Sequence, residues 1–323
     1  MITLDQVTKK FSDSERPAVN QVSLQVRQGH IFVFVGPSGC GKTTILRLIN
    51  RLEEPTRGRV LVDGQDTQKM DPNLLRRNMG YVIQQVGLLP HKTIEQNVSL
   101  VPELLGWTRE EIQLRVKDLL TLVGLDPGEV IHKYPHQLSG GQVQRVGVAR
   151  AMAADPPVML MDEPFGAVDP IVRIRLQDEF LRLQQKFQKT ICFVTHDINE
   201  AIKMGDSLVI MDQGSIVQTG TPIEILTHPA NDFVVHLVGE DRGVKILDLT
   251  RSENLMIPLG DSPEETPPEI CRVQAIQPVK VALETMLKYN SDQVGVYKGD
   301  SLMGTLNWDQ IKEHISLISG SDS

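Results

Sequence analysis

The segment from residue 36 to residue 43 constrains the fold of this chain more than any other stretch. It reads Gly-Pro-Ser-Gly-Cys-Gly-Lys-Thr, follows an apolar run at 31–35 and precedes a helical pattern of apolar residues at 45–49. Its glycines let the backbone curl so that successive N–H groups face a phosphate chain, while Lys42 adds a positive charge and Thr43 a hydroxyl for Mg²⁺. Because this loop lies between a strand and a helix, it predicts a triphosphate site in an α/β fold.

Composition indicates a protein of two units that remains in the cytoplasm. The 323 residues exceed one average domain, and contents of 40% hydrophobic and 23% charged residues are those of an ordinary soluble protein. No apolar stretch reaches the roughly 18 residues of a membrane span. Residues 1–11 also lack the apolar centre of a signal peptide, so we expect a cytoplasmic chain.

The net charge and the cysteines exclude further classes of protein. A formal net charge of -8 repels nucleic acid, so we expect no nucleic-acid partner, and any affinity for phosphate must be local. Cys40, Cys192 and Cys271 are scattered, which suits a reducing compartment and disfavours a zinc site. We interpret Cys40 as a small filler within the glycine-rich loop.

The order of patterns along the chain predicts a large first domain and a small second unit. Strands alternate with amphipathic helices up to about residue 235, and the segment at 85–157 predicts a helical subdomain because it is too long for a simple crossover. We divide the chain into a first domain at 1–238, a linker at 239–270 whose later part is rich in Pro and Glu, and an α+β unit at 271–323.

Three helices are predicted to start at side chains that cap them. Thr108 with Glu111 forms a capping box, and Asp169 precedes the proline that begins a long helix. Asp197 with Glu200 is predicted to form another capping box directly after a strand. Such side chains accept hydrogen bonds from the N–H groups that a helix leaves without acceptors in its first turn.

Three further motifs follow the glycine-rich loop in a definite order. Leu138–Gln142 reads Leu-Ser-Gly-Gly-Gln, an apolar run ends in Asp162 and Glu163, and His196 follows another apolar run. The serine-headed motif presents backbone N–H groups and no bulky side chain at a helix start, so it is a second anion site. This combination, in this order, resembles the ATP-binding cassette ATPases over residues 1–235.

The resemblance implies a P-loop nucleoside triphosphatase fold of cassette type that uses ATP and Mg²⁺. It implies that Asp162, Thr43 and Gln84 lie at Mg²⁺, that Glu163 orients or deprotonates the attacking water, and that His196 contacts the γ-phosphate. Glu163, His196 and Gln84 are therefore the implied catalytic residues. The residues implied to bind ATP are Phe11, Gly36, Ser38, Gly39, Cys40, Gly41, Lys42, Thr43, Thr44, Ser139, Gly140, Gly141, Gln142 and Asp169.

The same resemblance implies a homodimer that forms when ATP binds. Ser139 and Gly141 of one copy would meet the γ-phosphate held on the glycine-rich loop of the other, so two copies close head to tail over two ATP molecules. Asp169 would cross this interface, and it also suits a plain helix cap. Phe11 would stack on the adenine, or else belong to the core.

Segments of the helical subdomain narrow the family further. Residues 81–91, 93–97, 104–107 and 134–138 look like the ATPase subunit of bacterial importers for quaternary amine osmoprotectants such as glycine betaine, choline or carnitine. The resemblance implies integral membrane permease subunits as partners at the cytoplasmic face of the cell membrane, with an extracytoplasmic substrate-binding protein as an indirect partner. Gln84, or less favourably Gln85, would face the permease.

Two alternatives to this function remain at the level of sequence. One is an importer ATPase for another small solute, such as an amino acid. The other is a soluble cassette protein of translation or DNA repair, which the single phosphate loop and the lack of heptads disfavour.

The C-terminal unit resembles a single cystathionine-β-synthase-type (CBS) regulatory motif. A helix at 279–287, a hairpin across Gly299 and a last helix that carries Trp308 are predicted. Asn307 and Gln310 stand where adenosine-binding motifs of this kind carry a Thr or Ser and an Asp. Because residues 240–270 show no second motif, we expect this unit to pair with its counterpart in a second copy of the chain.

Overall fold

A computed structural model describes residues 1–83, 87–166, 168–260 and 270–319 of the chain. The chain divides into two compact units, Met1–Thr221 and Pro222–Ser323. This division by contacts falls earlier than residue 238, the end of the first domain in the sequence-based division, which stays a prediction. Gln84, Gln85 and the whole of the predicted Pro- and Glu-rich segment at 262–268 lie outside the described residues.

The described part of the first unit contains ten strands in two sheets. They are β1 (Ile2–Lys9), β2 (Val19–Val26), β3 (Ile31–Val35), β4 (Arg57–Val62), β5 (Gln65–Asp66), β6 (Met79–Val82), β7 (Val158–Asp162), β8 (Thr190–Thr195), β9 (Ser207–Asp212) and β10 (Ser215–Gly220). The first sheet is antiparallel, with strand order β2-β1-β4-β5. The second has the order β10-β9-β3-β8-β7-β6, in which all neighbours except β10 and β9 are parallel.

Nine helices accompany these strands in the described residues of the first unit. They are α1 (Lys42–Ile49), α2 (Pro72–Arg77), α3 (Ile94–Val98), α4 (Leu100–Leu104), α5 (Arg109–Leu122), α6 (Pro127–Val130), α7 (Gly140–Met152), α8 (Pro170–Phe187) and α9 (Ile198–Met204). Five of them, α3 to α7, lie between β6 and β7. The predicted α/β fold with a helical insertion is therefore confirmed.

The parallel strands at the centre of the second sheet bring the predicted site residues to one edge. Every residue of β3, β7 and β8 is buried, as expected of parallel strands that are covered on both faces. Val35 pairs with Thr195, and Asp162 pairs with Val194, so these three strands end at nearly the same level. Ligands of open α/β sheets bind outside the carboxyl ends of the strands, where these segments emerge.

Two of the three predicted helix starts are confirmed, and the third is partly wrong. Thr108 and Glu111 form the capping box of α5, and the Asp169 carboxylate caps α8. At α9, Asp197 accepts hydrogen bonds from two backbone N–H groups, but Glu200 does not return to the Asp197 N–H. The Thr195 hydroxyl accepts that hydrogen bond instead, at 3.0 Å, and the Glu200 side chain is buried.

The second unit is an α+β structure around a small sheet of its own. Its described residues contain the helices α10 (Pro222–Thr227), α11 (Asp232–Val238), α12 (Arg242–Leu249), α13 (Val279–Tyr289) and α14 (Trp308–Ser319), and the strands β11 (Ile257–Pro258), β12 (Arg272–Gln274), β13 (Gln293–Lys298) and β14 (Ser301–Asn307). The strand order is β11-β14-β13-β12. The predicted helix, hairpin and final helix are therefore confirmed.

Asn307 and Gln310 of this unit bond to each other at the start of α14. The Gln310 N–H donates to Asn307 Oδ1 at 3.1 Å, and the Asn307 N–H donates to Gln310 Oε1 at 3.0 Å. The Gln310 side-chain amide also donates to the Leu255 carbonyl. Each side-chain oxygen therefore accepts a hydrogen bond from the backbone N–H of the other residue, which is the pattern of a capping box at a helix start.

All three cysteines are free and buried. Among the helices of the described residues, none combines the length and the apolar character needed to cross a membrane.

Candidate functional site

The glycine-rich loop runs from the end of β3 into α1 in the conformation that its glycines permit. Gly39 and Gly41 have φ angles of 81° and 107°, which residues with a Cβ rarely adopt. A Cβ on Gly41 would lie 2.2 Å from the Ala18 carbonyl oxygen, so the backbone passes too close for any side chain. A Cβ on Gly39 would meet nothing within 4 Å, so the loop is open on that side.

The Lys42 ammonium lies across this loop and places a positive charge within it. Its Nζ donates hydrogen bonds to the carbonyl oxygens of Gly36 at 2.6 Å and Pro37 at 2.8 Å, and the side chain is buried. Cys40 packs in the hydrophobic core beneath, which agrees with its interpretation as a filler. Burial raises the pKa of the Cys40 thiol, although the nearby Lys42 charge opposes the shift.

Thr43 and Asp162 bring two oxygen atoms together at the start of α1. The Thr43 hydroxyl donates to Asp162 Oδ1 at 3.1 Å, and Asp162 is the buried last residue of β7. Burial raises the pKa of this carboxyl, the Thr43 hydrogen bond lowers it, and the neighbouring Glu163 charge raises it further. A positive charge beside Asp162 would stabilise its charged form against both the burial and the repulsion from Glu163.

Glu163 and His196 meet at the ends of two neighbouring strands. His196 Nδ1 lies 2.9 Å from Glu163 Oε1. Glu163 has a φ of 49°, a left-handed conformation that is uncommon for a residue with a side chain and clusters at functional sites. Its N–H donates to the Val194 carbonyl, which anchors the turn after β7 to β8.

The Ser139 motif forms the predicted helix start at the surface. The Gln142 N–H donates to Ser139 Oγ at 3.3 Å, and the Ser139 N–H donates to Gln142 Oε1 at 2.9 Å. Ser139 and Gly140 are exposed, and Gly141 is half-buried. The first turn of α7 is therefore accessible to an anion from outside the chain.

The other predicted residues lie on their own elements. Asp169 accepts hydrogen bonds from the N–H groups of Ile171 and Val172 at the start of α8. Phe11 is half-buried just after β1, with Lys9 Nζ 4.9 Å from its ring centroid. Ser38 is exposed in the loop and Thr44 is half-buried in α1. Gln84 lies outside the described residues.

A buried glutamine, Gln144, which belongs to none of the sequence motifs, supports the turn at Glu163. Its Nε2 donates to the Glu163 carbonyl oxygen at 2.8 Å, so α7 is tied to the turn that follows β7. Gln144 lies on one face of α7 with Val148 and Ala151, which are buried. A polar residue in an apolar stripe is the signal that would have identified it.

The donor atoms at this site suit Mg²⁺ bound together with phosphate. No group of three or more His, Cys, Asp or Glu side chains with the arrangement of a metal site occurs in the described ranges. Thr43 and Asp162 supply hard oxygen atoms, and Mg²⁺ usually takes one or two protein oxygens and completes its shell with water and substrate phosphates. The residues present therefore fit such an ion.

The fold and these residues define a P-loop nucleoside triphosphatase. The parallel strand β3 leads into a glycine loop and a helix, and carboxylates stand at the end of β7, which is separated from β3 by β8 alone. Comparison with known proteins agrees, since residues 19–166 match the ABC transporter family.

Relatives with known functions are similar over most of the chain. The glycine betaine/carnitine/choline transport ATP-binding protein OpuCA of Bacillus subtilis is 53% identical over 257 residues, 79% of this chain and 67% of the relative. The osmoprotectant import ATP-binding protein OsmV of Salmonella typhimurium is 49% identical, over 83% of this chain and 69% of the relative. The dimeric bacterial ABC transporter cassette MJ0796 matches with a TM-score of 0.65 and 34% identity, over 69% of this chain and 99% of that structure.

This chain belongs to the ABC transporter family, as an ATPase of the ATP-binding cassette type. The family and the cassette fold that the sequence motifs predict are thereby confirmed.

Proposed function

We propose that this chain is the ATP-hydrolysing subunit of an importer for quaternary amine osmoprotectants such as glycine betaine, choline or carnitine. The observation that carries the proposal is the identity of 49–53% with ATP-binding proteins whose names state choline, carnitine, glycine betaine or osmoprotectant transport. The chain would act at the cytoplasmic face of the membrane, bound to permease subunits. An extracytoplasmic substrate-binding protein would deliver the solute to those subunits.

The glycine-rich loop would bind the phosphates of ATP through its backbone N–H groups and Lys42. The Lys42 ammonium now donates to two loop carbonyl oxygens, and phosphate oxygens would replace them as stronger, charged acceptors. The positive end of α1 adds to the same attraction. Ser38, Thr43 and Thr44 would contribute hydroxyl or backbone contacts, and Phe11 would stack on the adenine.

Thr43 and Asp162, with Gln84, would hold Mg²⁺ beside the phosphates. A bound Mg²⁺ neutralises negative charge on the phosphate oxygens during transfer. The hydrogen bond between Thr43 and Asp162 keeps both oxygens on the same side of the loop. Burial raises the pKa of Asp162, and a positive partner such as Mg²⁺ would favour the charged form of its carboxylate.

Glu163 would orient the attacking water and accept its proton. Its carboxylate is held by His196 Nδ1 on one side, and its backbone is held by Val194 and Gln144. These contacts fix the backbone of Glu163 and give its carboxylate a defined partner, as a positioned general base requires. His196 would use its other ring nitrogen to contact the γ-phosphate.

The exposed start of α7 would complete the site of a second copy of the chain. Ser139, Gly140, Gly141 and Gln142 would offer N–H groups and a hydroxyl to the γ-phosphate on the partner, and Asp169 would lie at the same interface. Support comes from the capping geometry, which leaves the first turn accessible, and from the dimeric assembly named for MJ0796. A homodimer would then enclose two ATP molecules.

Substitution of Glu163 tests the enzymatic part of this proposal. Glu163→Gln keeps the shape of the side chain but removes its basicity, so ATP should still bind while the hydrolysis rate falls by about 10²- to 10⁴-fold. Phosphate release and equilibrium binding of a fluorescent ATP analogue measure the two effects. Glu110→Gln, at an exposed position of α5, is the matched control and should retain the normal rate. Undiminished hydrolysis by Glu163→Gln contradicts the proposed role.

Uptake by cells that lack the chain tests the solute. Transport of labelled glycine betaine, choline or carnitine should be lost, and should return with the wild-type chain but not with Glu163→Gln. Labelled amino acids serve as control solutes. Normal uptake of all three amines, together with loss of another solute, contradicts the assignment.

A further inference from the structure

The buried carboxylate of Glu200 has a role that its position at a helix start does not explain. Instead of capping α9, its Oε2 accepts a hydrogen bond from the Thr195 hydroxyl, and its Oε1 accepts one from Gln177 Nε2 at 3.0 Å. Thr195, Gln177 and Glu200 are all buried. Burying a carboxylate costs free energy unless its oxygens accept hydrogen bonds. The hydrogen bonds from Thr195 and Gln177 offset that cost for Glu200.

The Thr195 hydroxyl links Glu200 to the backbone on both sides of His196. It donates to Glu200 and accepts from the Asp197 N–H at 3.0 Å, so the residues that flank His196 are joined to each other and to the buried carboxylate. His196 itself is the exposed residue of this turn. The orientation of its imidazole therefore depends on a backbone segment that the hydrogen bonds of Thr195 and Glu200 fix in place.

The same carboxylate is connected to the loop that precedes α8. Arg173 lies one helical turn before Gln177 on α8, and its Nη2 donates to the Val168 carbonyl oxygen at 3.0 Å and to that of Gly166 at 3.4 Å. Burial raises the pKa of Glu200, and its hydrogen bonds and the Arg173 charge oppose that shift. The loop before α8 and the turn of His196 are thus attached to neighbouring side chains of one helix.

We propose that Glu200, held by Thr195 and Gln177, is a positioning residue that keeps the His196 imidazole against the Glu163 carboxylate. The proposal rests on the proposed function, in which His196 and Glu163 act on ATP. Through Gln177 the same carboxylate is also bonded to α8.

A pair of substitutions at Thr195 tests the positioning role in the full-length protein. Thr195→Val keeps the shape but removes the hydroxyl, and kcat should fall about tenfold, the change expected when a hydrogen bond to a charged group is lost. KM for ATP should change by less than about twofold, because the phosphate loop is untouched. Thr195→Ser retains the hydroxyl and should retain the wild-type kcat.

A double-mutant cycle with His196→Ala separates positioning from a general loss of structure. If Thr195 acts through His196, Thr195→Val should have no further effect on kcat once the imidazole is absent. Gln177→Met removes the other hydrogen bond to Glu200 and provides a second cycle, which applies even where Thr195→Val does not fold. Thermal unfolding and ATP binding are measured for every variant.

The outcomes distinguish this inference from the proposed function. The positioning role is overturned if folded Thr195→Val and Gln177→Met have the wild-type kcat. It is also overturned if each substitution lowers kcat by the same factor with and without His196. In both cases ATP hydrolysis by the wild-type chain leaves the proposed function in place. Absence of ATP hydrolysis by the wild-type chain contradicts both. A loss of kcat that disappears in the His196→Ala background, with rescue by serine, supports the inference.

Discussion

Asp162 and Glu163 are consecutive carboxylates that the backbone directs to different partners. Asp162 is the last residue of β7, is buried and bonds to Thr43, whereas Glu163 has a left-handed backbone and lies against His196. The change of conformation between them separates a carboxylate suited to a metal ion from one suited to a water molecule. Residue type alone does not distinguish these two roles.

At the residue scale, we expect Asp162→Asn to raise the thermal stability of the nucleotide-free protein. Burial raises the pKa of Asp162 in the folded state above the value of about 4 that an aspartate has in an unfolded chain. Protonated Asp162 therefore favours folding below about pH 4, and this contribution is lost as pH rises through the folded-state pKa. Asparagine resembles the neutral form at every pH. The Tm should therefore rise by about 2–4 °C near neutral pH.

Thermal unfolding in the presence of a chelator, followed from acid to neutral pH, measures this effect. The gain in Tm should shrink as pH falls through the raised pKa of Asp162, because the wild-type carboxyl then also becomes neutral in the folded state. Asp178→Asn is the control, because Asp178 is half-exposed in an ion pair with Lys203 and such pairs contribute little. Equal Tm values for Asp162→Asn and wild type near neutral pH contradict the argument.

At the scale of elements, α5 and α7 begin with the same kind of capping box but differ in the two residues that follow the capping side chain. Thr108 and Glu111 cap α5, and Ser139 and Gln142 cap α7 with nearly identical distances. Two glycines follow the serine, whereas arginine and glutamate follow the threonine. Of these two helix starts, the start of α7 is therefore the one without side chains that would block an anion.

This pair of helices provides a matched prediction about capping and catalysis. Ser139→Ala and Thr108→Ala should each destabilise the protein by about 1 kcal/mol, since each removes one side-chain cap. Hydrolysis of ATP should fall only for Ser139→Ala, because in the proposed function its hydroxyl contacts the partner's γ-phosphate. Chemical denaturation measures the free energy of unfolding, and phosphate release measures the rate of hydrolysis. An equal effect of both substitutions on hydrolysis would show that Ser139 acts as a helix cap alone.

At the scale of the whole molecule, the two proposed anion sites belong to one chain but would serve two different nucleotides. The glycine-rich loop emerges from the parallel sheet, while the Ser139 motif begins a helix of the insertion between β6 and β7. A symmetric pair of chains related by a two-fold axis would bring each loop to the other's motif. Activity would then depend on assembly.

We expect Glu163→Gln to form a dimer when ATP is added, since bound ATP is not consumed and remains between the two chains. Adding Ser139→Arg should prevent the dimer but leave ATP bound, because a large side chain would occupy the place of the phosphate. Size-exclusion chromatography with light scattering measures the assembly. Thr108→Arg in the same background is the control and should still dimerise, and a dimer of the Ser139→Arg variant would contradict the head-to-tail arrangement.

The start of α9 follows the local sequence pattern only in part. Asp197 and Glu200 have the spacing of a capping box, and the local signal is correct for Asp197. Glu200 instead accepts hydrogen bonds from Thr195 and Gln177, and Gln177 belongs to the preceding helix, 23 residues earlier. A local pattern cannot reveal an alternative partner that only the packing of α8 against α9 brings within reach.

The sequence by itself determined the phosphate loop, the capped helices α5, α7 and α8, and the family, because each depends on contiguous residues whose backbone preferences and spacing are local. Tertiary structure decided which side chains meet: Thr43 with Asp162, His196 with Glu163, and Gln144 with the turn after β7. These contacts join segments that are far apart in the chain. They exist because parallel strands end side by side and bury the polar groups that must then bond to one another.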